Sequence, residues 1–258
     1  RHDALGPERS PGRQIPQLGR MRVVNWNIER RGPHTWQAAS LVSEIQSLDP
    51  DLVFLTEGHH DSLNQLGGFT LDHPGYGAGH KSESERLVLL WSSSAWELIP
   101  LPQNVQSTGG AIFGKTTSDG HAVYCLCICI PWHMCPTVKA DGKVVPWAQH
   151  KLFLKELAPL LHELQHTHAP LIVAGDFNRR VPRCWGPIES FDLLTDAFDG
   201  LNIVTSNTLQ PENAATIDHI AISATLTPKT VKSLSAIDPE RQRPRSDHFG
   251  VLADIEVI

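Results

Sequence analysis

Residues 171–175 (Leu-Ile-Val-Ala-Gly) form an apolar run that predicts a buried strand, after which the chain turns polar with Asp176 and Asn178. Arg22 to Ile28 alternates apolar and polar positions, the period of a strand with one buried face. Thr35 to Leu48 follows with helical spacing, Leu41, Ile45 and Leu48 falling on one face and Pro50 ending it. Asp51 to Glu57 is a second apolar strand, so the chain opens with a strand–helix–strand unit. Further strands are predicted over 86–91 and 122–130, and near 201–205, 217–222 and 249–257. A long amphipathic helix is predicted over 146–166, a shorter one over 191–198, and a Gly-, Ser- and His-rich loop over 74–85. Several strands follow one another without an intervening helix. That favours an α/β fold with mixed sheets over a purely parallel one.

The strand ends share a property. Asn27 and Glu29 close the first strand, Glu57 the second, and Asp176 with Asn178 the apolar run at 171–175. Asp218 and His219 open the short run Ile220-Ala221-Ile222, and Ser246-Asp247-His248 stands directly before the last strand. Side chains two apart on an extended segment point the same way, so Asp176 and Asn178 can share one target. A single Gly-Asp after a strand reads as a turn; five polar strand ends read as a site. Its chemistry is oxygen-rich, with Glu57, Asp176, Asp218 and Asp247 beside Asn27 and Asn178. Such donors suit Mg²⁺, with Mn²⁺ as a substitute, whereas zinc would want more His and Cys at fixed spacing. A carboxylate-backed histidine beside a hard cation suits hydrolysis of a phosphate ester.

Composition narrows the picture further. The 258 residues suffice for one large domain with a substantial core, and 40 % hydrophobic with 19 % charged residues excludes disordered and fibrous classes. No apolar run is long enough for a transmembrane helix. Residues 1–20 are rich in Pro, Arg, Gly and Gln and lack a signal-peptide core, so they are expected to be a flexible arm, an upstream translation product or a vector remnant. Met21 would then be the natural start. Five cysteines are an odd number for a disulfide framework, and Cys125, Cys127 and Cys129 alternate along one strand face, as small buried residues would. A reduced, cytoplasmic setting and a monomer are expected. The net charge of −6 looks wrong for a polyanion binder until the arginines are located. Arg30 and Arg31, Arg179, Arg180 and Arg183, and Arg241, Arg243 and Arg245 each adjoin one of the polar strand ends, which suggests a basic rim facing phosphate.

The ordered segments Asn25-Trp26-Asn27, Leu55-Thr56-Glu57, Gly175-Asp176-Phe177-Asn178, Ile217-Asp218-His219-Ile220 and Ser246-Asp247-His248 resemble the successive motifs of the endonuclease/exonuclease/phosphatase superfamily, the deoxyribonuclease I-like fold. The likeness spans residues 21–258, which would form a single catalytic domain. It implies a four-layer α/β sandwich of two packed mixed β-sheets flanked by helices, with the site at one end. It further implies that Glu57 is the principal metal ligand, assisted by Asn27, with Asp247 on the metal side. Asp176 would position the attacking water and take its proton, and Asn178 would contact the phosphate. His248 would face the scissile phosphate with its ring oriented by Asp218. His133, after the strand ending at Ile130, matches a histidine that assists the leaving group or binds phosphate; a loop histidine is the alternative. Thr56 and Trp132-His133 depart from the pattern of apurinic-site repair enzymes, which lowers that reading.

Other residues are read more plainly. His162, His166 and His168 sit at a helix C-terminus, where positive charge is favoured. His59 and His60 belong either to the rim or to a solvated loop. Trp132, Trp147 and Trp185 either pack or stack on bases. Arg31, Arg179, Arg180 and Arg183 are the expected substrate contacts. The leading expectation is a Mg²⁺-dependent phosphodiesterase acting on DNA or RNA. The alternative is a phosphatase or phosphodiesterase for a small or lipid-linked phosphate. A catalytically dead binding module would lack one of Glu57, Asp176, Asp218 or His248, and all four are present.

Overall fold

The computed structural model describes residues 19–72, 82–106, 110–136 and 144–258. Most of the expected N-terminal arm, and most of the loop expected at 74–85, lie outside the described residues.

Twelve strands build two six-stranded sheets. They are β1 Arg20–Asn27, β2 Leu52–His59, β3 Phe69–Asp72, β4 Glu85–Ser92, β5 Glu97–Leu98, β6 Ala111–Ser118, β7 His121–Cys129, β8 Leu171–Asp176, β9 Asn202–Ile203, β10 Asp218–Ile222, β11 Leu226–Leu234 and β12 Gly250–Val257. Sheet one runs β11-β12-β1-β2-β4-β3 and sheet two β5-β6-β7-β8-β10-β9. Each is mixed: β1 pairs parallel with β2 and antiparallel with β12, while β7 pairs parallel with β8 and β8 antiparallel with β10. Helices α1 Trp36–Ser47, α2 Ala148–His166 and α3 Ile188–Ala197 cover the outer faces. No described helix is long and apolar enough to cross a membrane.

Strand alternation makes the four layers. On sheet one Met21, Val23, Leu52, Phe54, Val88 and Leu90 face inward. They meet Ile112, Val123, Cys125, Cys127, Cys129, Ile172, Ala174 and Ile220 of sheet two in a shared core. The opposite face of sheet one sets Val24, Trp26, Val53 and Leu55 against Leu41 and Ile45 of α1. The opposite face of sheet two sets Leu126, Ile128 and Val173 against Phe153, Leu157 and Leu161 of α2 and Leu194 of α3. Each large apolar side chain withdrawn from water contributes roughly 1.5–3 kcal/mol. A one-residue slip of β1 would forfeit several such contributions and turn Asn27 away from the interior. Core burial therefore aims the polar strand ends. The three cysteines are all free and buried in the central core, as their alternation suggested.

Asn25 joins the layers. It lies on the inward face of β1 with no exposure, and its Nδ2 donates to Gly175 O at 3.0 Å and His219 O at 3.1 Å on sheet two. Gly175 has φ 143°, and a Cβ there would lie 1.8 Å from Ile128 O on neighbouring β7. Only glycine allows β8 this close passage just before Asp176.

The structure departs from the sequence reading at several strands, with the short β3 and β5 added to those expected. β1 begins at Arg20, two residues before the expected strand start, and Arg20 ion-pairs with Asp254 at 2.9 Å. The strand near 201–205 contracts to Asn202–Ile203. β6 carries apolar residues only at Ala111, Ile112 and Phe113, and its Thr- and Lys-rich remainder is extended through pairing with β7. β11 contains Pro228 beside a register shift, which an edge strand tolerates because one side of its ladder faces outward.

Candidate active site

Asn27, Asp176 and Asp218 lie at strand ends on the inward faces, at one end of the sandwich. Asp176 and Asp218 are register partners, the last residue of β8 opposite the first of β10. Both are buried, at 2 % and 1 % exposure. Asp176 Oδ1 accepts from Asn178 N at 2.8 Å; its Oδ2 accepts from Asn27 Nδ2 at 3.1 Å and Asn178 Nδ2 at 3.2 Å. Asn178, at φ 51°, also donates Nδ2 to Ile130 O at 2.8 Å, tying the loop after β8 to the end of β7. Asparagine tolerates this left-handed backbone better than most residues.

His248 arrives from sheet one. Its Nδ1 donates to Asp218 Oδ2 at 2.6 Å, which leaves Nε2 as the outward nitrogen. Its main chain is fixed from both sides: His248 N donates to Ser246 Oγ, Ser246 Oγ donates to Asn27 O, and Trp26 Nε1 donates to His248 O at 3.0 Å. Gly250 permits this, since a Cβ there would lie 2.5 Å from the Trp26 ring. Burial alone would push the imidazole pKa down. The charge and hydrogen bond of Asp218, with Asp176 and Asp247 nearby, outweigh it and raise the pKa to about 10. His248 is therefore an imidazolium at neutral pH. Burial and the Asp218 charge push Asp176 the other way from a usual carboxylate, upward.

The remaining expected residues fall in distinct places. Glu57 has φ 53°, which breaks the alternation that would send its side chain toward α1. Burial raises the Cys129 thiol pKa, and the charges of Asp176, Glu57 and Asp218 act in the same direction. Arg30 Nε ion-pairs with Glu57 Oε2 at 3.2 Å. Asp247 is 63 % exposed at its side chain, and its Oδ1 lies 3.8 Å from His248 Nε2. Among the described residues, the metal-ligating atom types that converge within 4.8 Å belong to Asp176, Asp218 and His248.

The basic rim is also redistributed. Arg179 is 2 % exposed, its guanidinium donating to Trp185 O at 2.9 Å and Pro187 O at 3.0 Å and lying 4.7 Å from the Trp147 ring centroid. It braces the loop and does not face solvent, a correction to the expected phosphate contact. Arg245 is likewise buried, bound to Glu44, Ser40 and Ser235 O. Arg180 and Arg183 remain exposed, while Arg31 is paired with Glu29. His133 stands in an aromatic cluster, its ring centroid 5.4 Å from Trp132, 5.5 Å from Trp147 and 5.2 Å from Trp185. His59 is buried on Ser84, and His162 Nε2 bonds to Asp196 O.

Two contacts escaped the sequence reading, Arg30 with Glu57 and Glu29 with Asp247 N. Arg30 was read only as one charge of a cluster, although its place three residues after Asn27 was the available signal. Glu29 links Arg31 to Asp247 N, which its Oε2 accepts at 3.0 Å; no local pattern announces a contact 218 positions away.

Residues 24–248 match the model of the Endonuclease/Exonuclease/phosphatase family. Among solved structures, the human Nocturnin catalytic domain with bound sulfate is 18 % identical, with TM-score 0.65 over 93 % of this chain and 94 % of that one. An endonuclease/exonuclease/phosphatase from Bacteroides vulgatus is 16 % identical, with TM-score 0.64 over 93 % and 99 %. D. rerio TDP2 complexed with single strand DNA product is 18 % identical, with TM-score 0.57 over 92 % and 98 %. At these identities the structural likeness establishes a shared fold. No curated protein sequence matches significantly.

Proposed function

Because the chain belongs to the endonuclease/exonuclease/phosphatase family, whose members hydrolyse phosphate esters, we propose that it is a Mg²⁺-dependent phosphodiesterase acting on nucleic acid. The observation that carries this reading is the pair Asp176 and Asp218 facing each other across β8 and β10, with the His248 Nδ1 2.6 Å from Asp218.

Asp176 is the water-positioning residue. Burial raises its proton affinity, and Asn27 and Asn178 fix its two oxygens, so it can orient a water molecule and accept its proton as the oxygen attacks phosphorus. His248, charged and locked by Asp218, offers Nε2–H to a phosphate oxygen, where negative charge grows in the transition state. The low exposure of these groups strengthens both interactions.

A divalent cation fits the donors. Asp218 Oδ1 is buried without a hydrogen-bond partner, and oxygens of Asp176 and Asp218 lie within 4.8 Å of each other and of a His248 ring nitrogen. Glu57 and Asn27 would hold the ion, and when bound it supplies charge neutralisation at the phosphate oxygens. Arg180 and Arg183, exposed on the loop after Asp176, are the proposed contacts to flanking phosphates.

The test is hydrolysis by the purified protein, in Mg²⁺ and in EDTA, of single- and double-stranded DNA and RNA and of a panel of small and lipid-linked phosphates. Metal-dependent cleavage of nucleic acid, lost in His248→Ala, is expected. Turnover confined to the small or lipid-linked phosphates would overturn the nuclease reading.

A further inference from the structure

Trp26, Trp91 and Trp147 are buried at 0 %, 5 % and 7 % exposure, whereas Trp132 and Trp185 stand 52 % and 46 % exposed at the edge of the site. Leaving two indoles in water forgoes the burial that normally recruits tryptophan. We propose that Trp132 and Trp185 form a stacking platform for a nucleobase next to the scissile phosphate, which makes the preferred substrate a single-stranded nucleic acid. This rests on the phosphodiesterase reading above and specifies its substrate class.

The platform is built in place. The ring of His133 stands nearly perpendicular to both exposed indoles, at 84° to Trp132 and 88° to Trp185, so it holds them apart like a wedge. Beneath them Trp147 packs on Trp185 at 5.3 Å and on His133 at 5.5 Å between ring centroids. The Arg179 guanidinium lies over Trp147 and bonds to the Trp185 carbonyl. The other loop is fixed as well, since His150 Nδ1 meets Pro131 O at 2.9 Å and Trp147 N donates to His133 O at 2.7 Å. Such bracing removes the ordering cost that a mobile aromatic would incur on binding.

Its position connects it to the chemistry. Asn178, which holds Asp176, donates to Ile130 O, one residue before Pro131-Trp132. Trp185 follows Asp176 on the loop that also carries the exposed Arg180 and Arg183, so base-stacking and phosphate-binding groups share one segment. Trp36 offers a contrast: the guanidinium groups of Arg241 and Arg243 lie 5.2 Å and 5.8 Å from its ring centroid, so cations already engage that indole. Base faces are hidden in a duplex by stacking and open in a single strand, where aromatic side chains can reach them without reading sequence.

The experiment measures binding in EDTA, so that it is independent of cleavage. The ligands are a fluorescently labelled ten-nucleotide oligothymidylate, a base-free deoxyribose-phosphate chain of equal length, a blunt duplex, and thymidine monophosphate. The wild type is expected to bind the single strand at least tenfold more tightly than each of the other three. In Trp185→Ala and Trp132→Ala the single-strand affinity is expected to fall by about five- to a hundredfold. The preference over the base-free chain should approach one in the double variant and persist in Trp185→Phe. Trp132→Ala, on a separate loop, reads the same face should Trp185→Ala fail to fold. Equal wild-type affinity for the base-free chain, or a preference that survives the double variant, would overturn the platform. A monophosphate or duplex bound as tightly as the decamer would overturn the single-strand assignment. If base preference holds but nucleic acid is not hydrolysed in Mg²⁺, the proposed activity fails and the platform stands; cleavage without base preference gives the reverse.

Discussion

Asp218→Asn removes one charge while keeping shape, and its main effect should appear on His248. In the wild type His248 is raised from 6.5 to about 10, with Asp218 as the leading cause opposing burial. At 1.36 kcal/mol per tenfold change this difference corresponds to about 5 kcal/mol in favour of the imidazolium. The variant retains the burial, which lowers the pKa, and loses the 2.6 Å charge-assisted bond, which raised it. The His248 pKa should therefore fall by several orders of magnitude in proton affinity, to near or below neutrality. The imidazolium fraction at pH 7.5 then drops from essentially complete to a minority. Long-range ¹H–¹⁵N NMR of the imidazole nitrogens reads the titration directly, and kcat should fall across the same range. The linkage has a definite sign. A folded-state pKa above the unfolded value stabilises fully below pH 6.5, and that contribution fades as pH rises through about 10. Asp218→Asn should thus cost most stability in mildly acidic and neutral solution and little above pH 10. A His248 titration unchanged in the variant would refute the pairing as the source of its charge.

The other expectations concern the frame and the rim. Burial pushes the pKa values of His150 and His219 down to about 4, against weaker opposition from hydrogen bonds to Pro131 O, and to Arg179 O and Thr205, respectively. Their neutral forms stabilise the fold above pH 6.5, and each stands to lose on the order of 3 kcal/mol as pH falls through 4. Urea midpoints between pH 4 and 7 should slope upward with pH, and an unaltered slope in His219→Gln would contradict this. Arg179→Ala should lower the unfolding free energy by about 2–4 kcal/mol because it removes a buried brace of the 178–187 loop, whereas Arg180→Ala with Arg183→Ala should leave the melting temperature nearly unchanged. That double variant should also flatten the dependence of log Kd on log salt by about one to two; an identical salt slope would remove both residues from the rim. Glu57→Gln should raise the Mg²⁺ concentration needed for half-maximal activity by at least tenfold, and calorimetric titration of the cation should weaken in parallel.

Much of this was legible along the chain because strand alternation and core burial are local signals. The period of two in Arg22 to Ile28 already placed Asn25 and Asn27 on one face with Val23, and the run before Asp176 already ended where the sheet ends. The motif order already singled out Asn27, Asp176, Asp218 and His248, which the fold joins through hydrogen bonds and strand register. What the pattern did not carry was side-chain destination. Arg179 and Arg180 are neighbours of identical type, yet one is buried under Trp147 and the other faces solvent, because the choice depends on carbonyls at Trp185 and Pro187. Glu57 depended on a left-handed backbone that no residue preference announces. β6 and β11 were missed for the same reason: partners elsewhere in the sheets hold them extended, and their own composition does not.

Asn25, with its two bonds from β1 to the backbone of sheet two, has a consequence for how the active centre can fail. Asn27, Glu57 and His248 are carried by one sheet, and Asp176, Asn178 and Asp218 by the other. The distance between His248 and Asp218 is therefore a gauge of how closely the two halves of the molecule sit. Overpacking between the sheets, even at Cys125 far along β7, would be felt as lost alignment at the far end before the fold gives way. Neither half holds a working remnant of the site, so catalysis should vanish in one step as the halves part.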